Sequence, residues 1–544
     1  MRGLRTWTAI GLMTAILPGT ALAQSTPIRS TPVPIQEAQP NAPYRQPAAV
    51  LARLSDVPIV MDAPGLAPGR TAFTSQDEML AHLAAVKARA PGVFLGSLGR
   101  TSQGRDIPWL IFTAEGLQDP AAAARLNRPV VWLVGQQHGN EPAGGEAMLA
   151  LASALADGEL KPLLDRVTVV VAPRANPDGA AAFQRRNGLD YDLNRDHLLA
   201  AQPETQAIQR GMVILAPDAV VDAHEYGATG PLRRFDRLAA ADQTILDATH
   251  PGVPARSTAL ARQAYLPAME ARLAAAGLSS AVYLSGMPQT GPIPTGGTAP
   301  GISRNYYGLT GAVSFLLESR SAGERDAFQR RVASHYLAAA AVVETAARNG
   351  RALRRVTAQA RRDLARTRGP IPVAYEPTLL PGRLDLMDRE TGEPSHEAVE
   401  LRDSRQLRVT ETRIRPRGYL LAPQAQSAID ALRLKGVKLC EAAPQSAAVQ
   451  AFHVTRTQPI TRATREASTL TGALEVRLEA RDVTVGEGWI WVPMNQPTSS
   501  IIAASLEPDS VGSQVHVGLV PVADDGSAPI YRVMGRAPRT VGRC

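Results

Sequence analysis

The stretch Val130-Val131-Trp132-Leu133-Val134-Gly135-Gln136-Gln137-His138-Gly139-Asn140-Glu141 decides the fold. Its five uninterrupted apolar residues read as a strand covered on both faces, which is the habit of a parallel sheet. The glycine and asparagine after it suit a tight turn. His138 and Glu141, spaced i, i+3 at the carboxyl end of that strand, can face one point. Working outward, the same texture recurs. Apolar runs at Trp109–Thr113, Val167–Ala172, Ala219–Ala223 and Ala312–Leu317 alternate with helical stretches at Gly144–Ala156, Thr258–Ala275 and Glu324–Arg348. This alternation predicts an α/β domain built on a mixed, mostly parallel sheet flanked by helices.

Three more of these runs end in residues fit for chemistry. Val167–Ala172 leads into Asn176-Pro177-Asp178-Gly179 and then Arg185, Ala219–Ala223 ends at His224, and Ala312–Leu317 ends at Glu318. Sites in open α/β sheets form at the carboxyl ends of strands, so residues far apart in sequence are expected to converge in one crevice. Two histidines and one glutamate leave the fourth tetrahedral position open, the pattern of a catalytic zinc site, whereas a closed structural site needs four protein ligands. His138, Glu141 and His224 are therefore expected to hold one zinc ion. The only two cysteines, Cys440 and Cys544, cannot make a thiolate site alone.

The flanks set compartment and organisation. Arg2 and Arg5, an apolar stretch from Thr8 to Leu17 and the small residues Ala21 and Ala23 read as a signal peptide over residues 1–23, cleaved after Ala23. A periplasmic or secreted protein is expected, with Cys440 and Cys544 bridged in an oxidising compartment. Residues 24–68, rich in Pro, Ala and Gln, read as a linker. Ser75 and Glu78 form a capping box that starts a helix. The α/β texture spans 69–368, and Gly369-Pro370 stops a long basic helix. Residues 370–544 change to short alternating segments, which predicts a β-rich accessory domain, a small sandwich. Trp489 and Trp491 share one strand face there, in the core or against a ligand. The net charge of +8 comes from arginine scattered over helical stretches, and only 4% of residues are aromatic, so no nucleic-acid partner is expected. No segment after the leader is long and apolar enough to span a membrane.

Residues 73–340 resemble the zinc carboxypeptidase family, with its carboxypeptidase A-like fold. The resemblance rests on His138-Gly-Asn-Glu141-Pro-Ala-Gly144, Asn176-Pro-Asp-Gly179, Arg185-Arg-Asn187, Asp192-Leu-Asn194-Arg195-Asp196, Asp222-Ala-His224 and Phe315-Leu-Leu-Glu318-Ser-Arg320, with Ser102-Gln-Gly-Arg105 as a lead-in. It implies that His138, Glu141 and His224 are the zinc ligands and that Glu318 is the general base toward a zinc-activated water. Arg185, with Arg186 as its rival, polarises the scissile carbonyl. Asn194 and Arg195 grip the free C-terminal carboxylate of a peptide, and Asp192 orients the first histidine. The chain departs from the family where a mobile tyrosine is usual: Thr295–Gly301 has none. Tyr306 and Tyr307 are the candidates to bind substrate in its stead, a place in the core being the competing reading.

The function expected is that of an exported zinc metallocarboxypeptidase hydrolysing peptide bonds near a free C-terminus. A zinc amidase of cell-wall peptides and a zinc- or peptide-binding protein without turnover are the rival readings.

Overall fold

The computed structural model describes residues 46–117, 119–321, 325–467 and 472–544. The expected signal peptide and the first part of the Pro-rich arm lie outside the described residues.

An eight-stranded sheet forms the centre. Its strands are β1 (Phe94–Arg100), β2 (Asp106–Phe112), β3 (Val130–Gly135), β4 (Thr168–Ala172), β5 (Ala219–Gly227), β7 (Gln243–Asp247), β8 (Ser280–Val282) and β10 (Val313–Ser321). They lie in the order β1-β2-β4-β3-β5-β10-β7-β8. The middle four, β4, β3, β5 and β10, run parallel, while β2 and β7 join them antiparallel. The sheet is thus mixed with a parallel centre, as the apolar runs predict. Helices Pro142–Ala156 and Phe328–Arg348 cover one face, and Met148, Leu151, Val342 and Ala346 pack there with Val131, Leu133 and Val221. On the other face Trp132, Val170 and Val220 meet Ile208 and Met212 of helix Pro203–Leu215. The helix Gln76–Arg89 starts at the expected capping box of Ser75 and Glu78.

Residues 46–68 are packed rather than a free tether. Val50 and Leu54 bury themselves against Leu238 and Met387, and the backbone of Val57 pairs with both ends of the Gln329 amide, each at 2.8 Å.

A second sheet crosses the expected domain boundary. The long hairpin of β11 (Ile371–Asp388) and β12 (Pro394–Arg413) pairs at its edges with β6 (Arg237–Ala239) and β9 (Ile293–Pro294), both from the preceding α/β region. The hairpin therefore forms a wall of the cleft described below. The change of texture at Gly369 marks where the strands begin, and tertiary pairing carries them back.

The C-terminal unit is one antiparallel sheet rather than the expected sandwich. It holds β13 (Gly418–Leu421), β14 (Cys440–Glu441), β15 (Gln445–Arg456), β16 (Leu474–Val485), β17 (Ile490–Pro493) and β18 (Ser527–Val533), in the order β14-β17-β13-β18-β15-β16. Helices Gln426–Leu434 and Ser499–Leu506 bury Ile429, Leu432, Ile502 and Leu506 on one face, the place a second sheet would take. Trp491 is buried on the other face and Trp489 stacks on Tyr531 at 5.3 Å, so both tryptophans serve packing. Cys440 and Cys544 form a disulfide across 5.5 Å between Cα atoms, pinning the C-terminus to the sheet edge.

Glu507, with no exposed surface, accepts from Tyr419 Oη (2.6 Å), Arg413 Nη1 (3.0 Å) and Arg532 Nε (3.1 Å). Removing one partner of a buried ionic cluster strands the others, at a cost of about 3–5 kcal/mol. Glu507→Ala is expected to destabilise the protein by that amount, read as a lower denaturant midpoint at unchanged slope. A loss under about 1 kcal/mol would refute it. Among the described residues no helix is long and apolar enough to cross a membrane.

Candidate metal centre

The carboxyl ends of β3, β5 and β10 meet at one point. Glu318 and His224 are register partners on the adjacent parallel strands β10 and β5, so they stand side by side on one face. Gly135, at the end of β3, pairs with Ala223, which brings the following turn against His224. Gln136 takes a left-handed conformation at φ 50° to leave the strand. Gly139 lies so close to the helix Pro177–Ala181 that a Cβ would fall 1.9 Å from the carbonyl carbon of Gly179. Glu141 then caps the helix Pro142–Ala156, with proline at the first helical position.

His138, Glu141 and His224 are all buried, and their ligand atoms lie within 4.8 Å of one another. The two Nδ1 atoms are 3.0 Å apart, His138 Nδ1 is 2.9 Å from Glu141 Oε1, and His224 Nδ1 is 3.0 Å from Glu141 Oε2. Each ring turns its other nitrogen to a carboxylate: His138 Nε2 to Asp192 Oδ1 at 3.1 Å, and His224 Nε2 to Asp222 Oδ2 at 2.8 Å. A ring that donates Nε2–H to a carboxylate presents Nδ1 as a lone pair. Two lone pairs and a carboxylate in so small a buried space repel one another unless a cation lies among them. In the metal-free chain a proton takes that place: burial pulls the His224 pKa down, but Asp222 and Glu141 outweigh burial and hold it well above the ordinary range. The donor set, two nitrogens and one oxygen with access to a cleft, fits zinc with an open position.

Behind the ligands runs a buried polar chain. Asp222 accepts from Ser303 Oγ and, at 2.6 Å, from Gln137 Nε2. Gln137 Oε1 accepts from His197 Nε2 at 2.7 Å, and His197 Nδ1 meets the Tyr307 hydroxyl at 3.2 Å. Burial pushes His197 down to about 4, so it is neutral and consistent with these roles. Tyr307 thus braces the metal site from the core, and Tyr306 packs beside it. Both are buried and neither lines the cleft. Their expected role in binding substrate is corrected by the direction of the helix Ser303–Leu309, which turns them beneath the sheet end. Two tyrosines do line the cleft, Tyr226 on β5 and Tyr283 just past β8, the latter surrounded by the charges of Glu318, Arg304, Arg195 and Arg185.

Arg185, not Arg186, reaches the site. Its Nη1 lies 3.1 Å from His138 Nδ1 and 3.3 Å from Glu141 Oε1, and Nε and Nη2 hold Asp192 Oδ2 at 3.1 and 2.9 Å. Arg186 is turned away by a bidentate pair with Glu466 of the C-terminal unit, both contacts at 2.5 Å. Asn194 lines the cleft, but its Oδ1 accepts Ser303 N–H at 2.8 Å and its Nδ2 lies 3.2 Å from His224 Nε2. Arg195, also lining the cleft, donates Nε to the Glu466 carbonyl and Nη1 to the Asn194 carbonyl. It forms no ion pair among the described residues.

Glu318 is buried at the cleft floor and makes no hydrogen bond through its carboxylate among the described residues. Arg320, two residues on, sends Nε to Ala239 O and Nη1 to Gln46. Burial raises Glu318 to about 8; His224 and Arg185 pull against it, while Glu141 and Asp222 add to it. The cleft itself measures about 370 Å³ and is walled on one side by Arg383, Leu384, Asp385 and Leu386 of β11. The lead-in and the Asn-Pro-Asp-Gly turn serve the scaffold. Asp178 accepts from Thr101 Oγ1, Gln103 N–H and Arg105 Nη1 at 2.7, 3.1 and 2.7 Å.

Asp222 and Tyr283 carry roles the sequence reading did not assign. The signal for Asp222 was present, since Asp-x-His on a strand puts both side chains on one face.

Residues 79–210 match the family model described as zinc carboxypeptidase. The chain is 28% identical to carboxypeptidase 2 of Trichophyton rubrum over 445 residues, 80% of this chain and 81% of that protein. It is 30% identical to mouse (Mus musculus) carboxypeptidase M over 158 residues, 25% of this chain and 34% of that one. Among solved structures, a metallo-carboxypeptidase from Burkholderia cenocepacia aligns with a TM-score of 0.38 at 20% identity, covering 49% of this chain and 68% of that one.

Proposed function

We propose that this chain, whose residues 79–210 match the zinc carboxypeptidase family model, is an exported zinc metallocarboxypeptidase that hydrolyses the peptide bond next to a free C-terminus. The observation that carries the reading is the unpaired Glu318 carboxylate standing beside the His138, Glu141 and His224 cluster in the cleft that Arg195 also lines.

His138, Glu141 and His224 would hold the zinc ion, which when bound would supply Lewis acidity and a more acidic water at neutral pH. The remaining work belongs to the chain. Glu318 takes the proton of the attacking water and returns it to the departing amine. Its lack of hydrogen-bond donors keeps the carboxylate basic. Arg185, held by Asp192, places positive charge where the carbonyl oxygen gains negative charge. Arg195 offers a guanidinium to the terminal carboxylate of the peptide. Asp192 and Asp222 hold the two histidine rings in the tautomer that presents Nδ1. The disulfide between Cys440 and Cys544 fits an oxidising compartment.

The test is a peptide library incubated with the zinc-loaded protein and read by mass spectrometry. Loss of single residues from free C-termini, blocked by C-terminal amidation, is the expected result. Bound zinc without any shortened linear peptide would sink the reading in favour of a cell-wall amidase or a binding protein.

A further inference from the structure

Beside Arg185 and Arg195, the cleft holds a buried guanidinium that the reaction does not use. Arg304, on the helix Ser303–Leu309, is 2% exposed yet lines the cleft together with Tyr283, Gly297 and Glu318. Its Nη2 donates to the Gly297 carbonyl at 2.5 Å and touches Thr249 Oγ1 at 3.5 Å, both neutral acceptors. Its Nε is buried without a hydrogen-bond partner. Among the described residues no carboxylate pairs with it. Asp247, an acidic neighbour, gives Oδ2 to Arg262 Nε at 2.8 Å and leaves Oδ1 without a hydrogen bond; it and Glu318 attract Arg304 through space but neither is hydrogen-bonded to it. Arg195 adds a like charge nearby, and burial lowers Arg304 only to about 10, so it stays protonated at neutral pH.

A buried cation without a hydrogen-bonded carboxylate is costly, and such a group is retained where a ligand completes it. The cleft offers two guanidiniums lacking a carboxylate, Arg195 and Arg304. A peptide ending in Asp or Glu brings two carboxylates, one on the chain end and one on the side chain. We propose that Arg304 is the specificity residue for the released amino acid, and that the enzyme prefers peptides ending in glutamate or aspartate. The proposal rests on the carboxypeptidase reading above and names its substrate class. A neutral isostere such as Gln leaves the guanidinium unpaired, and sites built around one buried polar contact discriminate strongly against ligands that lack it. Lysine or arginine at the chain end meets direct repulsion.

The experiment uses the zinc-loaded full chain and peptides identical except for a final Glu, Asp, Gln, Leu or Lys. Glu or Asp is expected to exceed Gln in kcat/KM by about 10²-fold or more. Arg304→Gln is expected to reduce kcat/KM for the Glu-ended peptide at least about tenfold more than for the Leu-ended one. A wild-type preference for Leu or Lys, or an acidic preference that survives in Arg304→Gln, overturns the assignment. Because that variant can fail to fold, wild-type binding of glutarate is compared with that of its monoamide by calorimetry. Tighter glutarate supports the pocket and equal binding overturns it. If no peptide of any ending is shortened, the carboxypeptidase reading falls, and the glutarate pair decides the pocket independently.

Discussion

Glu318→Gln is expected to lower kcat and kcat/KM together by about 10²–10⁴-fold while the protein keeps its fold and its zinc, the range that removal of a positioned acid–base group produces. The prediction follows from placement. Glu318 is not among the three clustered ligands, so zinc content is spared. It stands on β10 in register with His224, and its carboxylate is free of donors, so little besides proton transfer depends on it. Loss of zinc with activity would show that Glu318 is a ligand, and unchanged kcat would remove it from the mechanism.

The same variant carries a stability signature. In the metal-free chain the folded-state pKa of Glu318 is raised to about 8 from the ordinary 4.5. Between those pH values the folded chain holds a proton that the unfolded chain releases, so this group's contribution to stability falls as pH rises through the window. Glutamine removes that penalty. Metal-free Glu318→Gln is therefore expected to melt above metal-free wild type at pH 8, with the gap closing toward pH 5. A gap independent of pH would refute the assignment. A cation at the three ligands draws the Glu318 pKa downward, so the acid limb of kcat/KM in the zinc-loaded enzyme belongs below pH 8.

His224→Ala is expected to abolish turnover and zinc retention together. It removes one of three protein donors and leaves Asp222 buried without its charged hydrogen-bond partner. Elemental analysis after dialysis reads the metal, and the melting temperature reads the fold with and without added zinc. Ligand binding to the native state stabilises by mass action, so wild type gains melting temperature with zinc and His224→Ala does not. Asp222→Asn is the graded companion. Losing the partner that orients a metal-binding histidine costs about 10–100-fold in metal affinity or activity. A zinc-dependent melting shift surviving in His224→Ala would place the metal elsewhere.

The parallel centre of the sheet, the strand ends that carry His138, Glu141, His224 and Glu318, and the helix start at Ser75 were legible in the sequence. Each is written locally: an unbroken apolar run can be buried only on both faces, and the residue that follows it must emerge at the sheet's edge. The choice between Arg185 and Arg186 was not legible, because Glu466 makes it, 280 residues away in the chain. Tyr306 and Tyr307 carry the right chemistry but face the core, and Tyr283 reaches the cleft only because β8 pairs alongside β7. The hairpin after Gly369 reads as the start of a separate domain, yet its pairing with β6 and β9 makes it a wall of the peptidase cleft. Arg304 reads as an ordinary helical arginine until burial strips it of solvent without supplying a carboxylate. Periodicity and turn chemistry depend on neighbours in sequence and so fix the elements and the residues at their ends. Which side chain meets which depends on strand register and on segments hundreds of residues apart, and only the folded chain decides that.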